Sequence, residues 1–429
     1  MRVLLISLQD EKEARQSPTR QRAQALEQEQ TLALAKAMRD GGRLAPLLVC
    51  RKNSRLRERA DALHLPVLAV GGASACNPLT LLRLWRWQRR HKKLLVQTVG
   101  QEAVPLGRRL RRMRPKDSTL LSHAFFLRPP APEHCAELRD AQHILCGSGH
   151  VRRRILKAWD AARQAAPAQK PDAAALQEQE EHLIILPPGI SLEGFTPSPE
   201  WREGHFIFGM GESLAPRSGV LQVIRAMAAL WQRDDLPPWE VRMLGGGPRF
   251  NEALKEAVTL GVESRLCLLH EQYAPVVLRS CHVWIAPGDS PEESPETLWT
   301  GFAAGLPVIA GQSELHAERL RGQEDAVLPV DESDPQSLAK AMIALMQEAD
   351  LRRALAARAV ALRAAVSLES MAHAACSLFE AWFREQGWLE ALPPDAASPD
   401  ATQPPAAPAG PEPARPETEQ PPSAPSGQV

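Results

Sequence analysis

Short apolar runs alternate with longer amphipathic stretches along most of this chain. Val3–Ser7, Val67–Val70 and Leu94–Thr98 are mostly apolar runs of strand length, whereas Gln21–Arg39 and Val151–Ala162 carry apolar residues at helical spacing. Buried parallel strands have continuous apolar sequences, and helices of this length connect them. The alternation therefore predicts βαβ units and a parallel sheet in the first half of the chain.

The alternation restarts after a segment that is dense in Pro, Ser and Gly. The strands predicted in the second half are Phe206–Met210, Val241–Leu244, Leu266–Leu269, Val283–Ala286, Val308–Ala310 and Ala326–Leu328. We predict an α/β protein with two doubly wound, Rossmann-like domains that face a cleft, because ligands bind beyond the carboxyl ends of such sheets.

The domain boundaries follow from these shifts in pattern. The first domain is predicted over residues 1–190, a linker over 191–203 and the second domain over 204–366. A terminal helix over 367–391 is expected to pack across the domains. Twelve of the 38 prolines lie from Pro393 to Pro425, so residues 392–429 are predicted to form a disordered tail.

Charge and cysteine content exclude several classes of protein. Lys plus Arg and Asp plus Glu both number 51, which argues against a general nucleic-acid binder. The seven cysteines form no CxxC pair, so we interpret them as reduced core residues rather than a zinc site or a disulfide framework. The first apolar run is too short for a secretory signal, and no run approaches a membrane span, so we expect a cytoplasmic protein.

The stretch from Cys281 to Gly311 holds the most informative pattern. An apolar run is followed by a Pro- and Gly-rich turn, the acidic residues Glu292, Glu293 and Glu296, and then a small-residue helix that Gly305 ends. A strand that leads through a short loop into a helix is a usual ligand site in an open α/β sheet.

Several ordered segments resemble the retaining glycosyltransferases of family 4, which have the two-domain GT-B fold. Leu186–Phe195 is similar to the linker motif IPNGVDxxRF, and Met243–Pro248 is similar to IVGxGP. Pro287–Pro307 is similar to the acidic motif with its AxxxGLPV continuation, and Glu314 with Val330–Ala339 is similar to the closing pattern. In the first half, Ser148–Leu156 is similar to SExVRxxL. The resemblance is good over residues 183–365 and looser before them.

The resemblance implies a role for each acidic position. In the family motif E-x7-E, the first Glu contacts the transferred sugar and the second binds the ribose hydroxyls. Counting back from Gly305 places Glu292 first and Thr300 second. Thr300 is not a carboxylate, and Glu296, four residues earlier on the same helix face, is the alternative ribose ligand. A solvated acidic helix start remains the other interpretation of this cluster.

A second candidate segment lies between Gly211 and Gly219. It joins a strand to a helix N-terminus, which suits an anion. The family has Arg and Lys for the donor diphosphate at the positions of Ser213 and Ser218, and the nearest cation here is Arg217. Arg217 is either a bidentate phosphate ligand or a surface arginine.

Two further positions complete the candidate donor site. Gly246 and Gly247 lie in a Gly-Gly-Gly turn without dinucleotide spacing, where the backbone either approaches the donor or simply turns. His123 is expected to end a strand, and it resembles the family histidine beside the transferred sugar. The alternative for His123 is a structural role.

Basic helices accompany the candidate site. Arg83–Lys93 combines six basic residues with Trp85 and Trp87, and Arg108–Lys116 is also basic. These two segments suit an anionic membrane surface, with peripheral attachment at the inner membrane face. A solvated arginine-rich face is the alternative.

Taken together, these features predict a glycosyltransferase of the hexosyltransferase type, with Glu292 and His123 at the reacting sugar. The resemblance implies a nucleotide-sugar donor on the second domain, and a glycan or lipid-linked acceptor, such as an envelope glycan, on the first. It also implies retention of configuration, assistance by the leaving phosphate, and no metal or other cofactor. Because the family's Arg, Lys and second Glu are replaced in this chain, a catalytically weak or inactive binding subunit is an alternative. A nucleotide-sugar epimerase is a further alternative, since such enzymes share the fold.

Overall fold

The computed structural model describes most of the chain outside several connecting segments and the C-terminus. The described residues are 1–9, 18–71, 77–114, 118–127, 129–165, 180–195, 205–211, 219–246, 249–269, 274–288 and 296–389. The predicted tail, residues 392–429, lies outside them.

The N-terminal domain is built on a parallel sheet of seven strands in the order β3-β2-β1-β4-β5-β6-β7. Its strands are β1 Arg2–Ser7, β2 Ala45–Arg51, β3 Val67–Val70, β4 Leu94–Val99, β5 Thr119–Phe125, β6 His143–Cys146 and β7 Leu183–Ile185. The order reverses direction between β1 and β4, so this domain has the switch point at which open α/β sheets bind ligands.

The C-terminal domain is built on a second parallel sheet, of six strands in the order β10-β9-β8-β11-β12-β13. Its strands are β8 Phe206–Gly211, β9 Trp239–Leu244, β10 Leu266–Leu269, β11 Val283–Ala286, β12 Val308–Gly311 and β13 Leu328–Val330. Here the order reverses between β8 and β11. The predicted class, two doubly wound parallel sheets flanked by helices, is confirmed.

Helices cover the faces of both sheets. In the N-terminal half they are α1 Pro18–Asp40, α2 Arg55–Ala62, α3 Pro78–Arg89, α4 Val104–Arg112, α5 Pro132–Cys135 and α6 Gly149–Ala165. In the C-terminal half they are α7 Val220–Trp231, α8 Phe250–Thr259, α9 Ala274–Ser280, α10 Glu296–Ala303, α11 Glu314–Arg319, α12 Pro335–Gln347, α13 Ala349–Leu362 and α14 Leu368–Glu385.

The last helix returns to the first domain. Helix α14 packs beside α1, and its Phe379 and Phe383 are fully buried with Leu5 and Leu48 of the first sheet. The opposite face of this sheet is covered by α3 and α4. The C-terminal sheet is sandwiched in the same way, with α7 and α12 on one side and α10 on the other.

The chain crosses between the domains twice, and the two crossings lie side by side. Ile190 donates to Val366 O at 2.9 Å, and Leu368 donates to Ile190 O at 2.9 Å. Beside them, the Gln30 side chain donates to Gly189 O at 2.6 Å and accepts from Gly189 N at 3.1 Å. These paired bonds satisfy buried backbone groups at the crossing and tie it to α1.

One local prediction in the C-terminal domain was wrong, and one helix was not predicted at all. Ala326 belongs to a short 3-10 helix, Glu324–Ala326, and the strand begins only at Leu328. Helix α11 was not predicted, because six residues are too few to show helical periodicity. Its start is fixed locally: the Ser313 hydroxyl accepts from the His316 backbone N–H at 3.0 Å.

Candidate functional site

Pro287, which directly follows β11, packs against the start of α7 and the carboxyl end of β12. A Cβ added to Gly219, at the start of α7, would lie 2.9 Å from Pro287 Cγ. A Cβ added to Gly311, at the end of β12, would lie 2.3 Å from Pro287 O. Both positions therefore require glycine, and the start of α7 and the end of β12 are held against Pro287 at this edge.

Helix α10 is anchored to the same edge by a threonine. The Thr297 hydroxyl donates to Gly211 O, at the end of β8, at 2.8 Å. The Trp284 indole N–H donates to Thr297 O at 2.6 Å, and a Cβ added to Gly301 would lie 2.5 Å from Val308 Cγ2. Close packing and two hydrogen bonds therefore fix where the helix begins. Sequence reasoning missed Thr297, because a hydroxyl near a helix start usually caps its own helix.

Most candidate donor residues fall in the loops that this framework supports. Glu292, Ser213, Arg217, Ser218 and Gly247 lie outside the described residues, so their roles stay predictions. Glu296 is the first residue of α10, and its side chain also lies outside the described set. Thr300 lies on the same helix, one turn later, and is half-buried. The loops begin or end at Gly211, Gly219, Gly288 and Glu296, and these flanking residues lie at one edge of the sheet.

Gly245 and Gly246 directly follow β9, which ends at Leu244. Gly245 has a φ of 130° and donates to Leu269 O at 2.9 Å, so this glycine permits the turn. Gly246 is half-buried, and a Cβ added to it would meet no described atom within 4 Å. The described part of the chain therefore leaves room for a side chain at this position.

His123 is placed differently from its prediction. Strand β5 continues to Phe125, so His123 lies two residues inside the strand rather than at its end. The side chain is fully buried, and its Nδ1 is 2.7 Å from the Thr98 hydroxyl on β4. Burial lowers the pKa of His123 to about 3, with a further lowering by Arg108, so the imidazole is neutral. Among the described residues, its Nε2 has no hydrogen-bond partner.

The N-terminal domain brings a buried carboxylate to its own sheet edge. Glu27 of α1 is 2 % exposed, and its Oε2 accepts from the Gln9 side-chain amide at 2.6 Å. The same Oε2 would lie 3.7 Å from a Cβ at Gly100, which follows β4 and has a φ of 78°. Sequence reasoning overlooked Glu27, although it occupies a core-facing position four residues after Ala23 and four before Thr31.

The two predicted basic segments differ in how their charge is balanced. On α4, Arg108 and Arg112 pair with Asp140 at 2.8 and 3.2 Å, and Arg111 is buried. Four arginines on α3 and at its C-terminal cap, Arg83, Arg86, Arg89 and Arg90, are exposed and have no ion pair among the described residues. Arg89 lies over the Trp85 ring, and the other three, Arg83, Arg86 and Arg90, are called the α3 arginines. Net positive charge is therefore concentrated on α3, beside Leu79 and Leu82, which are 71 % and 42 % exposed.

The described part of the chain contains no group of three or more His, Cys, Asp or Glu side chains placed to hold a metal ion. It also contains no helix that is long and apolar enough to cross a membrane.

Comparison with known proteins adds a family match in the C-terminal domain. Residues 195–361 match the family model "Glycosyl transferases group 1". Two curated relatives are from Mycolicibacterium smegmatis. One, a phosphatidyl-myo-inositol mannosyltransferase, is 27% identical over 182 residues, 41% of this chain and 46% of that protein. The other, a GDP-mannose-dependent alpha-(1-6)-phosphatidylinositol monomannoside mannosyltransferase, is 30% identical over 194 residues, 41% of this chain and 49% of that protein.

Solved structures match over both domains. HepE of Anabaena, solved in complex with UDP, aligns with a TM-score of 0.64 over 89% of this chain and 100% of that chain, at 15% identity. The fold is GT-B. A glycosyltransferase from Rickettsia africae aligns with the same TM-score at 14% identity, over 89% of this chain and 98% of that chain. Identity at this level establishes the fold alone, and the chain spans about half the length of the curated relatives it matches.

Proposed function

We propose that the protein is a glycosyltransferase that uses a nucleotide-sugar donor. One observation carries the proposal: Gly219 packs on Pro287, and Thr297 bonds to Gly211, at a single sheet edge. The loop that resembles a diphosphate-binding segment and the loop that resembles a sugar-binding segment both leave from this edge. The match of residues 195–361 to the glycosyl transferase model supports the same assignment.

The donor residues take the roles that the resemblance implies. Glu292 contacts the donor sugar, because an ionised carboxylate accepts hydrogen bonds from its hydroxyls. Arg217, with Ser213 and Ser218, faces the diphosphate near the start of α7, where backbone N–H groups also favour an anion. Glu296 or Thr300 approaches the ribose. Gly246 and Gly247 form the rim of the same pocket.

His123 supports the site indirectly in this proposal. Its imidazole lies below the surface and bonds to Thr98, so it fixes the ends of β4 and β5 rather than contacting the donor. We call it a positioning residue for this reason.

The transfer itself is proposed to retain configuration at the anomeric carbon. The leaving diphosphate accepts the proton of the attacking hydroxyl on the same face, and neither a protein nucleophile nor a metal ion is needed. Arg217 and the start of α7 stabilise the charge that develops on the diphosphate. The acceptor lies on the N-terminal domain, and the lipid-modifying activity in the names of the two mannosyltransferases favours a lipid-linked acceptor.

An anionic membrane surface is the proposed partner of α3. No acidic residue occurs between Asn77 and Gln101, and the α3 arginines flank the exposed Leu79 and Leu82. Arginines near an anionic surface each contribute about 1 kcal/mol to binding, and exposed leucines add apolar burial. In this proposal, α3 holds the mouth of the cleft near the lipid headgroups that carry an acceptor.

Vesicle flotation tests this part of the proposal. We expect binding to vesicles that contain about a third to a half phosphatidylglycerol, because this content gives them a strong negative surface charge. We expect little binding to vesicles of phosphatidylcholine alone. Reversing the charge of the three α3 arginines to Glu should weaken binding about a hundredfold. The same reversals at Arg233, Arg353 and Arg358, exposed on the other domain, serve as the control. Equal loss in both triple variants would contradict a specific α3 surface.

A pair of variants tests the role of Glu292. We expect Glu292→Ala to lose most of the affinity that depends on the sugar, while the free nucleoside diphosphate binds as to the wild type. Glu293→Ala is the matched control, since the neighbouring carboxylate has no assigned contact. Equal weakening of nucleotide and nucleotide sugar by Glu292→Ala would refute its assignment.

A catalytically inactive binding subunit is the second candidate, and the replacement of a carboxylate by Thr300 favours it. The two candidates separate in ³¹P NMR of a bound nucleotide sugar. The transferase converts the donor to a nucleoside diphosphate, and it does so faster when membrane lipids are added. A donor that binds yet stays intact with and without lipids would establish the second candidate.

A further inference from the structure

The two domains touch at the rim of the cleft through a helix start and a carboxylate. The backbone N–H of Gly149, the first residue of α6, donates to Oε1 of Glu318 at 2.7 Å. Glu318 belongs to α11 of the C-terminal domain. Next to it, Arg153 Nη1 lies 2.8 Å from Glu314 Oε1. One turn of α6 therefore meets one face of α11.

This contact lies where both sheets present their carboxyl ends. Helix α6 follows β6 after two residues, and α11 follows β12 after two residues. The contact is therefore beside the cleft, not at the distant crossings near Ile190. A change in the distance between Gly149 and Glu318 is a change in how far the cleft is open.

Glycine at position 149 is required by space rather than by backbone conformation. Its φ is not among the positive values of the described glycines. A Cβ added there would lie 2.5 Å from Glu318 Oε2 and 3.2 Å from its Cδ. The carboxylate thus occupies the volume that any side chain at position 149 would fill.

The helix start has one donor left for the other domain. The Ser148 hydroxyl accepts from the Val151 N–H at 3.4 Å, so α6 has a cap of its own for that group. The Gly149 N–H occupies a helix position that has no acceptor within its own helix, so it donates to Glu318, and the positive end of the helix dipole favours the Glu318 charge. The nearby pair of Arg153 and Glu314 is 52% and 72% exposed, so it contributes less.

We propose that Glu318 is an interdomain positioning residue that caps α6 and holds the cleft in its closed arrangement. The consequence for catalysis rests on the proposed function: closure brings the acceptor side of the first sheet to the donor bound by the second. Since a half-buried carboxylate binds a helix start only moderately, the contact opens and closes reversibly. Losing such an interaction shifts an equilibrium about two- to fivefold.

Small-angle X-ray scattering of the full chain, without any ligand, tests the proposal. We expect Glu318→Ala and Gly149→Ala each to enlarge the radius of gyration and to reduce the closed fraction about two- to fivefold. Glu318→Gln keeps an acceptor oxygen without charge and should fall between them and the wild type. Glu263→Ala is the control, because this exposed residue lies before β10 at the opposite end of its sheet.

The double variant Gly149→Ala/Glu318→Ala distinguishes a shared contact from two separate defects. If the two residues act through one contact, the double variant opens no further than either single variant. Additive opening, or scattering identical to the wild type in every variant, would overturn the proposal. If α6 fails to form in Gly149→Ala, the Glu318 variants alone still decide it.

The failure of this inference is distinguishable from the failure of the proposed function. Scattering needs no donor, so it reports on the contact even if the protein binds no nucleotide sugar. If donor binding is present, Glu318→Ala should weaken it by the same two- to fivefold factor, and Glu263→Ala should leave it unchanged. A protein that binds donor equally well in all variants, with unchanged scattering, keeps the proposed function and loses the capping role.

Discussion

Lowering the pH from 7.5 to 5.0 should destabilise the N-terminal domain through the buried His123 and the half-buried His143. Burial lowers the pKa of His123 to about 3. Burial, followed by the charge of His182, lowers the pKa of His143 to about 4. The His143 ring stacks on Trp382, with ring centroids 3.9 Å apart. Both side chains are therefore neutral in the folded protein throughout this pH range.

The sign follows from proton binding by the unfolded chain. An unfolded histidine, with a pKa of about 6.5, binds a proton as the pH falls below that value, whereas the folded one does not. The unfolded state then holds more protons, so stability is lost between pH 6.5 and the folded pKa. At pH 5.0 the pKa of the unfolded histidine lies about 1.5 units above the pH. His123 therefore lowers the free energy of unfolding by about 2 kcal/mol at this pH. The less buried His143 adds up to a similar amount.

Urea unfolding at a series of pH values measures this loss. His123→Asn keeps an acceptor oxygen for the Thr98 hydroxyl and removes the titrating ring. We expect this variant to lose about 2 kcal/mol less than the wild type between pH 7.5 and 5.0, whatever its stability at pH 7.5. His64→Asn is the control, since His64 is exposed. A pH dependence in His123→Asn equal to that of the wild type would refute the buried neutral state of this ring.

Three further predictions concern the C-terminal domain and the donor. Gly301→Ala places a Cβ 2.5 Å from Val308 Cγ2 and should lower the free energy of unfolding by about 1–3 kcal/mol. Gly246→Ala, which has open space around its Cβ, is the control and should lower it little. Equal losses of both variants in urea unfolding would contradict the close packing of α10. Thr297→Val removes the bond to Gly211 O and should cost about 1 kcal/mol and weaken donor binding in calorimetry, whereas Thr297→Ser should restore both. Treatment with EDTA should leave donor binding unchanged, and a loss that Mg²⁺ or Mn²⁺ reverses would show that a metal ion takes part.

The sequence was sufficient to predict the two sheets, because buried parallel strands such as Val283–Ala286 are apolar throughout and the intervening helices have regular periodicity. Short elements were harder. Helix α11 has six residues, and the strand near Leu328 begins next to a 3-10 turn that has a similar apolar content. Propensity does not separate such segments, since their ends are set by capping and pairing with neighbours.

The candidate site was predictable in part for a related reason. Motif order identified the loops around Glu292 and Arg217. The structure shows that residues flanking these loops are in contact, since Gly219 packs on Pro287 and Gly288 and Thr297 bonds to Gly211. Contacts between distant residues gave no local signal. Gly149 and Glu318 are 169 positions apart, and the burial of Glu27 depends on how α1 meets the sheet edge. His123 was placed too close to the end of its strand because β5 extends through two more apolar residues.

Calorimetric titration with UDP-, GDP- and ADP-sugars tests the central claim, donor recognition by the C-terminal domain, most directly. We expect saturable binding of at least one nucleotide sugar, with a stronger affinity than for the matching free nucleoside monophosphate. Absence of binding to every member of the panel at about millimolar concentration, the weak end of specific affinities, would contradict the proposed glycosyltransferase.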